Sequence, residues 1–142
     1  MEYIYDSKEF KESSLYKNFI NINQGVGILK IEASTANGAY PLKDVNVVIS
    51  KNFGEDKIIF YKGITNDSGI IDNIILPTRS TVKEIMEASD IIYTTYDLVA
   101  SYPKYNLDRK YDVSIFDDIK VIQPIVFSID NLIEGEDSDR KS

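Results

Sequence analysis

The sequence has no cysteine, no histidine and no tryptophan. Without cysteine there is no disulfide, no thiol nucleophile and no cysteine-bound metal. Without histidine the commonest general base and the commonest transition-metal ligand are both missing. No cofactor and no metal are therefore expected, and the chain reads as not an enzyme. Long apolar runs are also missing. None approaches the roughly 20 residues that a membrane-crossing helix requires, so membrane insertion is not expected. The first residues, Met1-Glu2-Tyr3-Ile4-Tyr5-Asp6, lack the basic start and apolar run of a secretory signal. Intracellular synthesis is expected, with any route to an outer layer being a different one. Positive charge is scarce: 16 Lys and Arg face 23 Asp and Glu, a net charge of −7. Phosphate and anionic lipid repel such a surface, which makes nucleic acid and membrane poor candidate partners.

What the chain does have is a core. Its 142 residues suit one domain, and 43% of them are hydrophobic, too many for general disorder. Ile leads the apolar residues, and Asn, Lys, Asp and Tyr are frequent. That bias fits an AT-rich bacterial genome.

The pattern is set around Thr65-Asn66-Asp67-Ser68-Gly69, a turn that opens onto an apolar strand over residues 70–76 and stops at Pro77. Asn and Asp side chains bond nearby backbone, Gly69 tolerates positive φ, and Pro cannot continue a ladder. Before this turn, residues 26–35 alternate, with Leu29, Ile31 and Ala33 on one face. Asn37-Gly38 is a turn signal. Val45, Val47 and Ile49 form the next inward set. Residues 57–64 are apolar on both faces, with Ile58 and Phe60 opposed to Ile59 and Tyr61, so that strand is expected to be central or covered. After the turn, Ser80 or Thr81 could cap a short helix carrying Val82, Ile85 and Met86. Strands return over residues 91–101, 110–116 and 119–130, with Pro124 marking an edge or a bulge.

Seven short strands with regular turn signals predict an all-β, seven-stranded sandwich with one short helical insertion. Residues 25–132 form that domain. Residues 1–24 read as a polar N-terminal arm without sustained periodicity, either packed on the domain or serving as a docking segment. Residues 133–142 read as a disordered acidic tail.

The order of motifs carries a resemblance. Gly27-Ile28-Leu29-Lys30-Ile31 precedes Ala39-Tyr40-Pro41-Leu42-Lys43-Asp44-Val45, then come Thr65-Asn66-Asp67-Ser68-Gly69, Ile75-Leu76-Pro77 and Tyr93-Thr94-Thr95-Tyr96-Asp97-Leu98-Val99-Ala100, and Ile122-Gln123-Pro124-Ile125 ends the set. Residues 25–130 resemble the carboxypeptidase regulatory-like domains, whose fold is a transthyretin-like (prealbumin-like) Greek-key sandwich. They are similar, more narrowly, to the N-terminal domain of clostridial spore cortex-lytic enzymes. The resemblance implies a non-catalytic accessory module of the spore or cell envelope in a Clostridium-like bacterium, binding a protein or peptidoglycan.

Individual residues offer several chemistries. Asp117-Asp118, Asp67 and Glu55-Asp56 are carboxylates in expected loops, where solvated turns explain them as well as glycosidase chemistry does. Asn66-Asp67-Ser68-Gly69 has oxygen ligands but not the length of a calcium loop. Lys30 and Asn131 sit where a Lys–Asn isopeptide bond would need them, with Asp97 as the one available helper. Tyr93, Tyr102 and Tyr105 fall near one strand and its turn. They are the candidate binding residues, since exposed aromatics stack on sugars or anchor proteins. Tyrosine is also a good strand residue. The leading reading is a protein- or peptidoglycan-binding module. A self-assembling structural protein is the alternative, with a small-molecule carrier behind it.

Overall fold

The computed structural model describes residues 1–36, 40–80 and 92–128. The chain begins with strand β1 (Glu2–Ile4), helix α1 (Lys8–Lys11) and helix α2 (Ser14–Ile22). Strands β2 (Gly25–Thr35), β3 (Asn46–Phe53), β4 (Asp56–Ile64), β5 (Ile70–Thr78), β6 (Thr94–Tyr102), β7 (Leu107–Ile115) and β8 (Lys120–Phe127) follow. Among the described residues they form two sheets. One has five strands in the order β1-β4-β3-β6-β7, and the other has three in the order β5-β2-β8.

Strands β2 to β8 are the seven that the alternation predicts. Leu29, Ile31 and Ala33 of β2, with Ile125 and Phe127 of the neighbouring β8, face Val47 and Ile49 of β3 and Leu98 and Ala100 of β6 across one buried, mainly aliphatic core. Pro124 lies on β8, which ends its sheet, so its missing N–H interrupts no inner ladder. β8 runs parallel to β2, from Ile28 opposite Lys120 to Thr35 opposite Phe127.

The central turn is held as its residue types require. The Asn66 side-chain oxygen accepts from the N–H groups of Ser68 and Ile70 at 2.9 and 3.0 Å. Gly69 has φ +75°, and an added Cβ would stand 2.3 Å from the Ala33 carbonyl oxygen. The buried Thr65 hydroxyl donates to Leu42 O at 2.7 Å and accepts from Val45 N–H at 3.0 Å. The turn thereby ties β5 to the start of β3.

The N-terminal arm holds the main departure from the sequence reading, because it contains regular structure. β1 pairs parallel with β4, placing Ile4 opposite Ile59. The Ser7 hydroxyl accepts from Phe10 N–H at 3.1 Å, capping α1. In α2, Leu15, Phe19 and Ile22 share a face at helical spacing. That spacing was the available signal, but two helices this short give little periodicity to read. The arm explains why β4 is apolar on both faces. Its rings cover Phe60: Tyr5 stacks on it at 4.7 Å and Phe19 meets it at 5.2 Å. The helix expected after Thr81 falls on residues 81–91, outside the described residues, as does the tail.

Candidate functional site

Two features of the surface could engage a ligand or partner. The first is a cleft of about 400 Å³ between α2 and the inner faces of β3 and β6. The five-stranded sheet is wider than its partner sheet, so α2 covers what the smaller sheet leaves open. Leu15, Phe19 and Ile22 form one wall, and Phe53 and Tyr93 belong to the other. At its base the Thr94 hydroxyl donates to the Asn23 side-chain oxygen at 2.6 Å and accepts from Arg79 N–H at 3.2 Å. Asn23 in turn donates to Phe19 O at 3.0 Å, which closes the C-terminal end of α2.

Lys51 also lines this cleft, and its position follows from alternation: residues 47, 49, 51 and 53 of β3 share a face, on which Val47 and Ile49 are buried. Lys51 Nζ donates to Thr95 O at 2.7 Å and lies 5.9 and 5.8 Å from the ring centres of Phe53 and Tyr96. Burial holds its ammonium below the usual lysine range, against a smaller opposing pull from the Asp97 charge. The sequence reading missed Lys51, because it ended the inward set of this strand at Ile49, and a lysine at the next inward position carries no apolar mark.

The second feature is the outer face of the three-stranded sheet. Cross-strand partners share a face, so Val26 with Pro77 and Ile28 with Ile75 lie together on the outside. Ile122 and Pro124 of β8 join them, opposite Lys30 and Glu32. Ile75 is 66% exposed, Ile122 51% and Val26 49%. These are large aliphatic side chains on one flat surface. The nearby charges are paired, Lys30 with Glu32 at 3.3 Å and Lys120 with Asp72 at 3.1 Å.

The expected site residues do not converge. Tyr93 precedes β6 and Tyr102 ends it, roughly 30 Å away at the rise of a strand. Tyr93 is exposed at the lip of the cleft, 5.6 Å from the Phe116 ring. Tyr102 is buried in the core against Tyr105 and Phe127, at 5.6 and 5.9 Å. The carboxylates serve the fold. Asp117 accepts from Val26 N–H at 3.1 Å, Asp67 pairs with Lys43 at 3.2 Å, and Asp56 pairs with the N-terminal ammonium at 3.2 Å. Among the described residues no three Asp or Glu side chains converge to hold a metal ion. Of the isopeptide pair, Lys30 is engaged with Glu32 and Asn131 lies outside the described residues.

Solved structures decide the architecture. (S)-Allantoin synthase superposes with a TM-score of 0.50 at 12% identity, over 73% of this chain and 41% of that one. The 5-hydroxyisourate hydrolase of Klebsiella pneumoniae gives 0.46 at 16%, over 72% and 84% of the two chains. Transthyretin from Sparus aurata gives 0.44 at 11%, over 70% and 90%. The fold is transthyretin-like. No family model matches the sequence, and no curated protein matches it. The expectation that the chain is not an enzyme is corrected by these neighbours. (S)-Allantoin synthase, which shares the fold, is an enzyme, so this fold gives no ground for excluding catalysis. The missing histidine and cysteine narrow the chemistry open to such a scaffold without closing it, because carboxylates, lysines and tyrosines remain.

Proposed function

We propose that this transthyretin-like domain is a binding module that docks a protein partner through the outer face of β5-β2-β8. The observation that carries the reading is the row of exposed aliphatic residues: Ile75, Ile122 and Val26, with Ile28, Pro77 and Pro124 between and beside them. Contiguous apolar surface of this kind marks interaction sites. The chemistry favours protein over peptidoglycan. Sugars are gripped by aromatic platforms and by free polar groups, and this face carries no aromatic ring among its paired residues. The charges among its aliphatic residues, Lys30, Glu32 and Lys120, are already paired, so a neutral, aliphatic surface fits it best. The order of motifs read in residues 25–130, which resembles the N-terminal domain of clostridial spore cortex-lytic enzymes, is the reason to seek the partner first in the spore or cell envelope.

The test pairs the wild-type chain with the double variant Ile75→Asp, Ile122→Asp. Both positions are exposed, so the variant should fold, which its thermal melt checks. A protein captured from sporulating-cell extract is purified and bound again to each form. Loss of affinity by at least about tenfold in the variant supports the reading. Sedimentation with peptidoglycan sacculi that the variant retains overturns it. A solution mass that rises with concentration in the wild type alone replaces the partner with a second copy of the chain and moves self-assembly ahead.

A further inference from the structure

The cleft beneath α2 is lined by residues other than those of the docking face, and its chemistry is different. We propose that it is a binding site for a small amphipathic anion, an apolar monocarboxylate. Its volume of about 400 Å³ lies within the ~300–1,000 Å³ range of small-molecule sites. Leu15, Phe19, Ile22, Phe53 and Tyr93 give it apolar and aromatic walls, which suit an alkyl or aryl body. Lys51 and Arg79 give it two cations, and among the described residues no Asp or Glu belongs to the lining. On a chain with net charge −7, two cations and no carboxylate among the described lining residues are a local reversal of sign.

Lys51 is the anchor. Among the described residues its ammonium has no carboxylate at ion-pair distance, and it spends one of its three protons on Thr95 O. Its other stabilisation comes from the faces of Phe53 and Tyr96. A desolvated ammonium gains more from an incoming carboxylate than a solvated one does, because the charge-assisted bond forms in a medium of low dielectric constant. The polar base of the cleft does not compete. Asn23 and Thr94 satisfy each other, so they shape the floor and leave the anion to the cations.

The experiment titrates the full chain with sodium octanoate, octanol and octylamine, following backbone amides by NMR and heat by calorimetry. Octanoate should shift the amides of Ile22, Thr94 and Thr95, and should bind about tenfold or more tighter than octanol. Lys51→Met should lower octanoate affinity by about tenfold while leaving octanol binding unchanged. Lys8→Met, on α1 and away from the cleft, should change nothing. Should Lys51→Met fail to fold, Ile22→Asp serves instead, because Ile22 is 57% exposed at the lip. That substitution places a carboxylate beside the cations and should abolish octanoate binding while admitting octylamine. Equal affinity for octanoate and octanol overturns the proposal, as does the absence of any shift at those amides. A peptide with an apolar C-terminal residue that binds more tightly than octanoate overturns it in favour of tail capture.

Discussion

The molecule has two cores built on different rules. Between the sheets most side chains are aliphatic, delivered by alternation: Leu29, Ile31, Val47, Ile49, Leu98 and Ile125 are each fully buried. Under the N-terminal arm they are aromatic, delivered by a short strand and two short helices. Phe10 meets Tyr3, Tyr5 and Tyr16, and Phe19 meets Tyr5, Phe53 and Phe60. The sandwich distributes its burial over many residues held by ladders. The arm concentrates its burial on two phenylalanines, each contributing about 1.5–3 kcal/mol, and connects to the sheet by the three residue pairs of β1 and β4. A region that depends on few large contacts should open as a unit, before the region that depends on many.

The largest expected effect tests that difference. Phe19→Ala should cost about 3–5 kcal/mol in urea denaturation. Hydrogen exchange in the variant should show α1 and α2 losing protection while β6 and β7 keep theirs. If every strand loses protection equally, the two cores form one cooperative unit. Ile31→Ala is the counterpart in the sandwich. It should cost about 2–5 kcal/mol, and it should lower protection throughout. Gly69→Ala comes next, at about 1–3 kcal/mol, from positive φ and the clash with Ala33 O. Its cost should appear as a lower denaturation midpoint with an unchanged slope.

Tyr96 lies where the cores meet, with its ring 4.9 Å from Phe60 and its hydroxyl donating to Pro77 O. Burial raises its phenol far above the ordinary tyrosine range, and Tyr5 and Tyr61 move the same way. Above pH of about 10 the unfolded chain therefore loses these protons first, and stability falls as pH rises. Lys51 opposes this, since its lowered value makes the folded state shed a proton earlier. The tyrosine displacement is the larger, so the net direction is downward. Tyr96→Phe should lose about 1 kcal/mol at neutral pH with its hydrogen bond and should show a shallower alkaline decline. Urea midpoints between pH 8 and 11 measure both. The smallest effect belongs to the exposed Lys8–Glu12 pair, 3.9 Å apart on α1. Its removal should leave the midpoint unchanged within error.

This contrast also sets what the sequence could reveal. Strands β2 to β8 were legible because a half-buried strand must alternate, and Pro124 marked an edge because a proline cannot serve an inner ladder. The arm was opaque because α1 has four residues and β1 three, too few for either period to show. Its clue was indirect: β4 is apolar on both faces, so something had to cover it. Lys51 was overlooked although alternation after Val47 and Ile49 turns it inward, since a lysine at the end of a strand carries no apolar mark. Tyr102 was read as a binding residue because an aromatic at a strand end looks exposed, yet ring contacts with Tyr105 and Phe127 bury it. The outer aliphatic face became visible only when pairing set Ile28 beside Ile75 and placed Ile122 on the same side.

The parallel pairing of β2 with β8 has a consequence for how the chain reaches this state. Neighbouring strands β3 and β4, or β6 and β7, close over a few residues and can zip locally, within microseconds for a hairpin. β2 must wait for a partner roughly ninety positions downstream, and loop closure over that span carries its entropy cost before any ladder bond forms. On the ribosome, Leu29 and Ile31 therefore emerge long before the strand that completes their sheet. Until then the edge of β2 that later receives β8 is open to any other strand, and the nascent chain is most prone to aggregation during that interval.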